Sequence, residues 1–143
     1  MTDKARVFID TNVFLYLLSA DAAKADIAEA LLTDASCVRA VSVQVINEFV
    51  NVARNKARLD WSEIREYVAL LRDACEIAPI TDQEQDMALE IAERYRYRWY
   101  DSLIIASAVA SGASLLLSED LHDGQAIGDL VIQNPFGKEA PVS

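Results

Sequence analysis

Val7-Phe8-Ile9-Asp10-Thr11-Asn12 is the stretch that decides how the chain is read. Three apolar residues run into an acid, a hydroxyl and an amide, and an apolar stretch follows over residues 13–18. The pattern predicts a short buried strand over residues 7–9, a polar turn, and a buried helix start. A carboxylate at the end of a buried strand stands at the mouth of a sheet. Asp10 is then either the cap of the next helix or a ligand for a cation. Thr11 and Asn12 can cap equally well, which would free Asp10 for the second task.

Outward from this strand, strands and helices alternate. Asp21 resembles an N-cap for a helix over residues 22–32, and residues 37–41 read as a second strand. Ser42 caps a helix over 43–56 whose apolar face is Val45, Ile46, Phe49, Val52 and Ala53. Asp60 with Glu63 makes a capping box for a helix over 61–74, and Thr81 with Glu84 makes another for a helix that runs to about Tyr97. Residues 76–80 lie between them as a short strand or extended link. A nearly wholly apolar helix over 101–110 ends at Gly112. Strands over 114–117 and 130–132 follow. This alternation predicts an α/β fold with a parallel sheet, whose sites form at the carboxyl ends of the strands.

Composition narrows the function. At 143 residues and 52% hydrophobic content, one globular domain is expected. The longest apolar run, residues 103–117, is broken by Ser107, Ser111, Gly112 and Ser114 and falls short of the roughly 20 residues of a membrane span. Residues 1–6 mix charges and lead into no long apolar core, so no signal peptide is expected, and the expectation is a soluble, cytoplasmic chain. Cys37 and Cys75 read as reduced core residues. The net charge of −10 argues against simple electrostatic adhesion to nucleic acid or anionic lipid. Carboxylates that hold divalent cations invert that argument locally.

Four acids are placed to meet. Glu48 lies about two turns into its helix, at the edge of the apolar stripe, where it is either solvated or a site acid. Asp101 opens the most apolar helix in the chain, so its carboxylate is expected deep, as a cap or in need of a partner. Ser118-Glu119-Asp120-Leu121-His122-Asp123 follows Leu115-Leu116-Leu117 as a loop at the end of a buried strand. Asp120 is its best ligand candidate, with Ser118 placed to orient it; Glu119 and Asp123 are weaker. Carboxylates gathered this closely repel one another, and Mg²⁺ or Mn²⁺ resolves the repulsion.

Asp10-Thr11-Asn12, Glu48, Tyr100-Asp101-Ser102-Leu103-Ile104-Ile105-Ala106 and Ser118-Glu119-Asp120 together resemble the PIN-domain ribonucleases, in particular the VapC-type toxins of toxin–antitoxin pairs. The resemblance spans residues 7–136. It implies a single PIN-like domain over 1–143, a three-layer α/β/α sandwich with a central parallel sheet, and Mg²⁺- or Mn²⁺-dependent cleavage of RNA. By matching, Asp10, Glu48, Asp101 and Asp120 form the acidic set, with Asp10, Asp101 and Asp120 on the metal. Thr11, Asn12, Ser118 and Asp123 are supporting groups. Asp123 stands one place later than the family's second aspartate. The resemblance also implies a homodimer and a cognate antitoxin partner.

Other stretches bear on function as well. Arg94-Tyr95-Arg96-Tyr97-Arg98-Trp99-Tyr100 interleaves bases with aromatics just before Asp101, and reads as an RNA contact through Arg94, Arg96 and Arg98 or as a helix end facing its dipole. Arg54, Lys56 and Arg58 read as a solvated helix end. His122 is the only histidine, either a general acid near the site or an ordinary loop residue. The stripe Trp61, Ile64, Val68 and Leu71 reads as core or as a dimer face. A phosphatase with Asp10 as nucleophile would want a second Asp where Asn12 stands. A receiver-like, non-catalytic signalling module would want a late-strand lysine, and after Lys56 only Lys138 remains.

Overall fold

The computed structural model describes residues 4–137; Lys138 lies outside them. Strand β1 (Ala5–Ile9) leads through Asp10 into helix α1 (Thr11–Leu15), which tightens into a 3₁₀ turn over Tyr16–Leu18. Next come α2 (Ala22–Thr33), β2 (Cys37–Ser42), α3 (Val43–Asn55), α4 (Trp61–Ala74) and β3 (Glu76–Ala78). Helices α5 (Asp82–Tyr95) and α6 (Trp99–Ala110) precede β4 (Leu115–Leu117), β5 (Ala126–Ile127) and β6 (Leu130–Gln133). The sheet runs β3-β2-β1-β4-β6-β5 and helices flank it, an α/β/α sandwich.

Local chemistry sets the helix starts as predicted. Asp21 accepts from the Lys24 N–H, Ser42 from the Val45 N–H, and Asp60 with Glu63 closes a capping box. Glu84 Oε1 takes both the N–H and the hydroxyl of Thr81 at 2.8 Å. Gly112, at φ 79°, ends α6 with the paired bonds Gly112 N–H to Val109 O and Ala113 N–H to Ala108 O.

The expected parallel sheet stands over β3-β2-β1-β4-β6, and an edge strand is added to it: β5 pairs antiparallel with β6, with Ile127 opposite Leu130 across Gly128-Asp129. A Gly-led two-residue turn is the backbone signature that makes so short a hairpin possible. Helix α5 stops at Tyr95 rather than near Tyr97, because Arg96 adopts the left-handed conformation at φ 62°. Helix α6 begins at Trp99, two residues before Asp101, with Trp99 and Tyr100 exposed. Its start is therefore open to water rather than deep.

The core lies between sheet and helices. Phe8, Ile9, Phe14, Phe49, Ile104, Ile105 and Leu116 are almost fully buried. Each such side chain contributes about 1.5–3 kcal/mol of transfer free energy. Residues 102–108 of α6 are all buried, which its lack of a polar face requires. Cys75 is buried and Cys37 partly so, both as free thiols; burial pushes the Cys75 thiol up to about 11. In the stripe on α4, Ile64 and Leu71 are core, while Trp61 is exposed beneath the Arg54 guanidinium. Among the described residues no helix is long and apolar enough to cross a membrane.

The register of the two central strands places the site. Val7, Phe8 and Ile9 pair in parallel with Leu115, Leu116 and Leu117. The Asp10 N–H continues the pairing to Leu117 O at 2.9 Å, and the Ser118 N–H continues it to Gln133 O at 3.0 Å. Asp10 and Ser118 thus leave neighbouring strands at the same level, at their carboxyl ends.

Candidate active site

A cleft of about 240 Å³ opens at that edge, lined by Asp10, Thr11, Asn12, Leu15, Glu48, Asn51, Val52, Asp101 and Asp120. Four chain segments supply its carboxylates: the end of β1, the second turn of α3, the first turn of α6 and the loop after β4.

Asp10 is 5% exposed and does two things at once. Its Oδ1 accepts the Thr11 N–H at 2.7 Å and caps α1. Its Oδ2 accepts the Ser118 hydroxyl at 2.8 Å. The expectation that Thr11 and Asn12 relieve Asp10 of capping is therefore wrong. A carboxylate has two oxygens, and Asp10 spends one on the helix while the other faces the cleft side. Thr11 instead donates its hydroxyl to Glu48 Oε2 at 2.6 Å, and Gln44 Nε2 holds Glu48 Oε1 at 3.0 Å.

Asn12 ties the two loops together. Its Nδ2 lies 3.0 Å from Asp120 Oδ2, 3.3 Å from Ser118 Oγ and 3.4 Å from Asp10 Oδ2, while its Oδ1 accepts the Glu119 N–H at 3.2 Å. Ser118, fully buried, also accepts the Asp120 N–H at 3.3 Å.

The electrostatics are those of crowded acids. Burial pushes the Asp10 carboxyl up to about 6; the bonds from Ser118 and Thr11 oppose this, and the charges of Glu48 and Asp101 add to it. Burial also raises Asp101, reinforced by Asp120 and Glu48 and opposed by Arg98. Asp101 is not the cap of α6, since Arg98 holds that position; it sits in the first turn, where the helix dipole favours a carboxylate.

Other predicted residues fall outside the cleft. The Oδ1 of Asp123 accepts the Asn134 N–H at 2.9 Å, which orders the loop against the end of β6. Arg94, Arg96 and Arg98 occupy the junction of α5 and α6 and none lines the cleft, although the charge of Arg98 is felt at Asp101. His122 stacks by Tyr97 with ring centroids 5.3 Å apart. Sequence reasoning missed Leu15, Asn51 and Val52. The signal was available: Asn51 and Val52 stand three and four residues after Glu48, on the same helix face.

The model of the PIN domain family matches residues 7–122, from the first strand through the Asp120 loop. The chain belongs to the PIN domain family. Solved structures of similar fold include VapBC-1 from nontypeable Haemophilus influenzae, at 18% identity and a TM-score of 0.69, covering 92% of this chain and 99% of that one. A toxin–antitoxin complex from Klebsiella pneumoniae matches at 18% identity and 0.68, covering 90% and 97%. The sarcin–ricin-loop-cleaving toxin VapC20 of Mycobacterium tuberculosis matches at 20% and 0.65, covering 80% and 91%. At these identities the likeness is one of PIN fold. No curated protein sequence matches the chain.

Proposed function

We propose that this PIN domain is a divalent-metal-dependent endoribonuclease and the toxin of a toxin–antitoxin pair. The observation that carries the reading is the cleft itself, where Asp10, Glu48, Asp101 and Asp120 arrive from four segments. Burial pushes the Asp10 carboxyl up and the charges of Glu48 and Asp101 add to this; a hard cation with oxygen ligands would offset both.

Asp10, Asp101 and Asp120 are the residues we assign to the cation, with Glu48 completing the acidic set. Among the described residues no group of three or more His, Cys, Asp or Glu is already drawn together around one point. Bound in the cleft, Mg²⁺ or Mn²⁺ supplies Lewis-acid chemistry that activates water and offsets charge on a phosphodiester. The chain's own part is orientation: Ser118 and the Thr11 N–H fix Asp10, the Thr11 hydroxyl fixes Glu48, and Asn12 fixes Asp120. Glu48 is the group we assign to accept a proton at its carboxylate as water attacks.

The neighbours from Klebsiella and Haemophilus are toxin–antitoxin assemblies, which supports an antitoxin as partner for this chain. A homodimer is part of the same proposal. Purified wild-type chain is expected to cleave RNA in Mg²⁺ or Mn²⁺ and not in chelator, and Asp10→Asn is expected to lose that activity while staying folded. Undiminished cleavage by pure Asp10→Asn would sink the assignment. Arrest of growth on expression of the wild-type chain alone tests the toxin role separately from the chemistry.

A further inference from the structure

Next to the cleft, where a neighbouring hollow shares Asn12 and Leu15 with it, three side chains meet. The Tyr16 hydroxyl donates to Glu119 Oε1 at 2.6 Å. Lys24 Nζ donates to Glu119 Oε2 at 2.9 Å and to the Tyr16 oxygen at 3.1 Å. Lys24 also lies 4.7 Å from the Tyr16 ring centroid, and the Phe136 ring packs edge-on against Tyr16 at 4.7 Å. Each partner comes from a rigid place. Lys24 is in the first turn of α2, its own N–H held by Asp21, and Tyr16 opens the 3₁₀ turn after α1.

We propose that Glu119, clamped by Lys24 and Tyr16, is a positioning residue that sets where Asp120 stands in the cleft. The proposal rests on the ribonuclease reading above and extends it to three residues that line none of the cleft. Glu119 sits between Ser118, which donates to Asp10, and Asp120, which accepts from Asn12, while its own side chain lies among Tyr16, Lys24, Asn134 and Phe136. Its N–H bonds Asn12 Oδ1, so backbone and side chain are anchored separately. Asp120 is exposed, and a bond from Asn12 at 3.0 Å would by itself leave it free to swing. The two bonds to Glu119 are charge-assisted or short, the kind that fixes geometry as well as energy.

A competing role for Lys24 is direct contact with substrate phosphate. The two roles predict opposite signs. If Lys24 serves substrate, freeing it from Glu119 lowers KM for RNA. If it serves as half of the clamp, losing either partner harms Asp120 and leaves KM alone.

The test uses the full chain as wild type, Glu119→Ala, Lys24→Met, the double variant, and Tyr16→Phe as the mild change that retains the ion pair. Mn²⁺ binding is titrated calorimetrically without RNA, and kcat and KM are measured separately. We expect Glu119→Ala and Lys24→Met each to weaken Mn²⁺ binding and lower kcat by about tenfold, the size typical of groups that orient a metal ligand. KM should stay within about twofold, and the double variant should be no worse than either single. Tyr16→Phe should fall between them and wild type. Wild-type Mn²⁺ affinity in Glu119→Ala overturns the proposal, as does a lower KM in Glu119→Ala beside a higher one in Lys24→Met. A wild-type chain that binds Mn²⁺ but cleaves no RNA fails the ribonuclease reading alone, and the calorimetry still decides the clamp.

Discussion

The two walls of the cleft are built differently. Asp10 and Thr11 form one that is buried and closely hydrogen-bonded, with Asp10 backed by the buried Ser118 and both held by the register of β1 and β4. The other, Asp101 and Asp120, is carried by a helix start and a loop, and Asp120 is exposed. The contrast teaches that position and charge are supplied separately. The sheet fixes one acid at a cost in stability, and more adjustable segments bring the others to it.

The largest effect that could break this contrast is on stability in chelator. Asp10→Asn is expected to stabilise the metal-free protein near neutral pH, by as much as roughly 3 kcal/mol, since the gap between 3.8 and about 6 corresponds to that figure. An amide at this site can still accept the Thr11 N–H. Asp101→Asn should give a clearly smaller gain, because that carboxyl is closer to water. Equal gains in thermal melts would remove the distinction between the walls.

The same physics fixes a pH dependence. A carboxyl whose folded-state value is raised favours the fold while it is protonated. Its contribution is fully present below about 3.8 and is lost as pH climbs through about 6. Metal-free wild type should therefore lose stability relative to Asp10→Asn across that window, in denaturant titrations run at each pH. A constant difference from pH 4 to pH 7 would contradict the buried, uncompensated state of Asp10.

Ser118→Ala should come next, costing about 1–2 kcal/mol by removing the hydroxyl that Asp10 accepts and on which the Asp120 N–H rests. It should raise the Asp10 carboxyl further, readable by carboxyl-carbon NMR. Arg98→Ala is the smallest change: stability should move by less than about 0.5 kcal/mol, with the Asp101 carboxyl rising slightly.

Much of this was legible in the chain because local chemistry dictates it. Asp21, Ser42 and Asp60 cap where their spacing says they should, and the apolar runs at 7–9 and 115–117 are the adjacent central strands. Asp10 and Asp120 follow strand ends that face one edge, while Glu48 and Asp101 reach the same cleft from helices. What escaped depends on pairings that periodicity does not carry. The β5 strand has two residues, and its one cue is the Gly128-Asp129 turn. The double duty of Asp10 depends on the direction of each oxygen, and the attachment of Asp123 to Asn134 on a loop closing over β6. Arg94, Arg96 and Arg98 follow one another closely in the chain, but a left-handed residue at Arg96 separates the end of α5 from the start of α6.

The central claim is that these carboxylates hold a divalent cation, and a crystal soaked in Mn²⁺ tests it most directly. Anomalous signal between Asp10, Asp101 and Asp120 is the result expected. Saturating Mn²⁺ that leaves the cleft without an ion would contradict it.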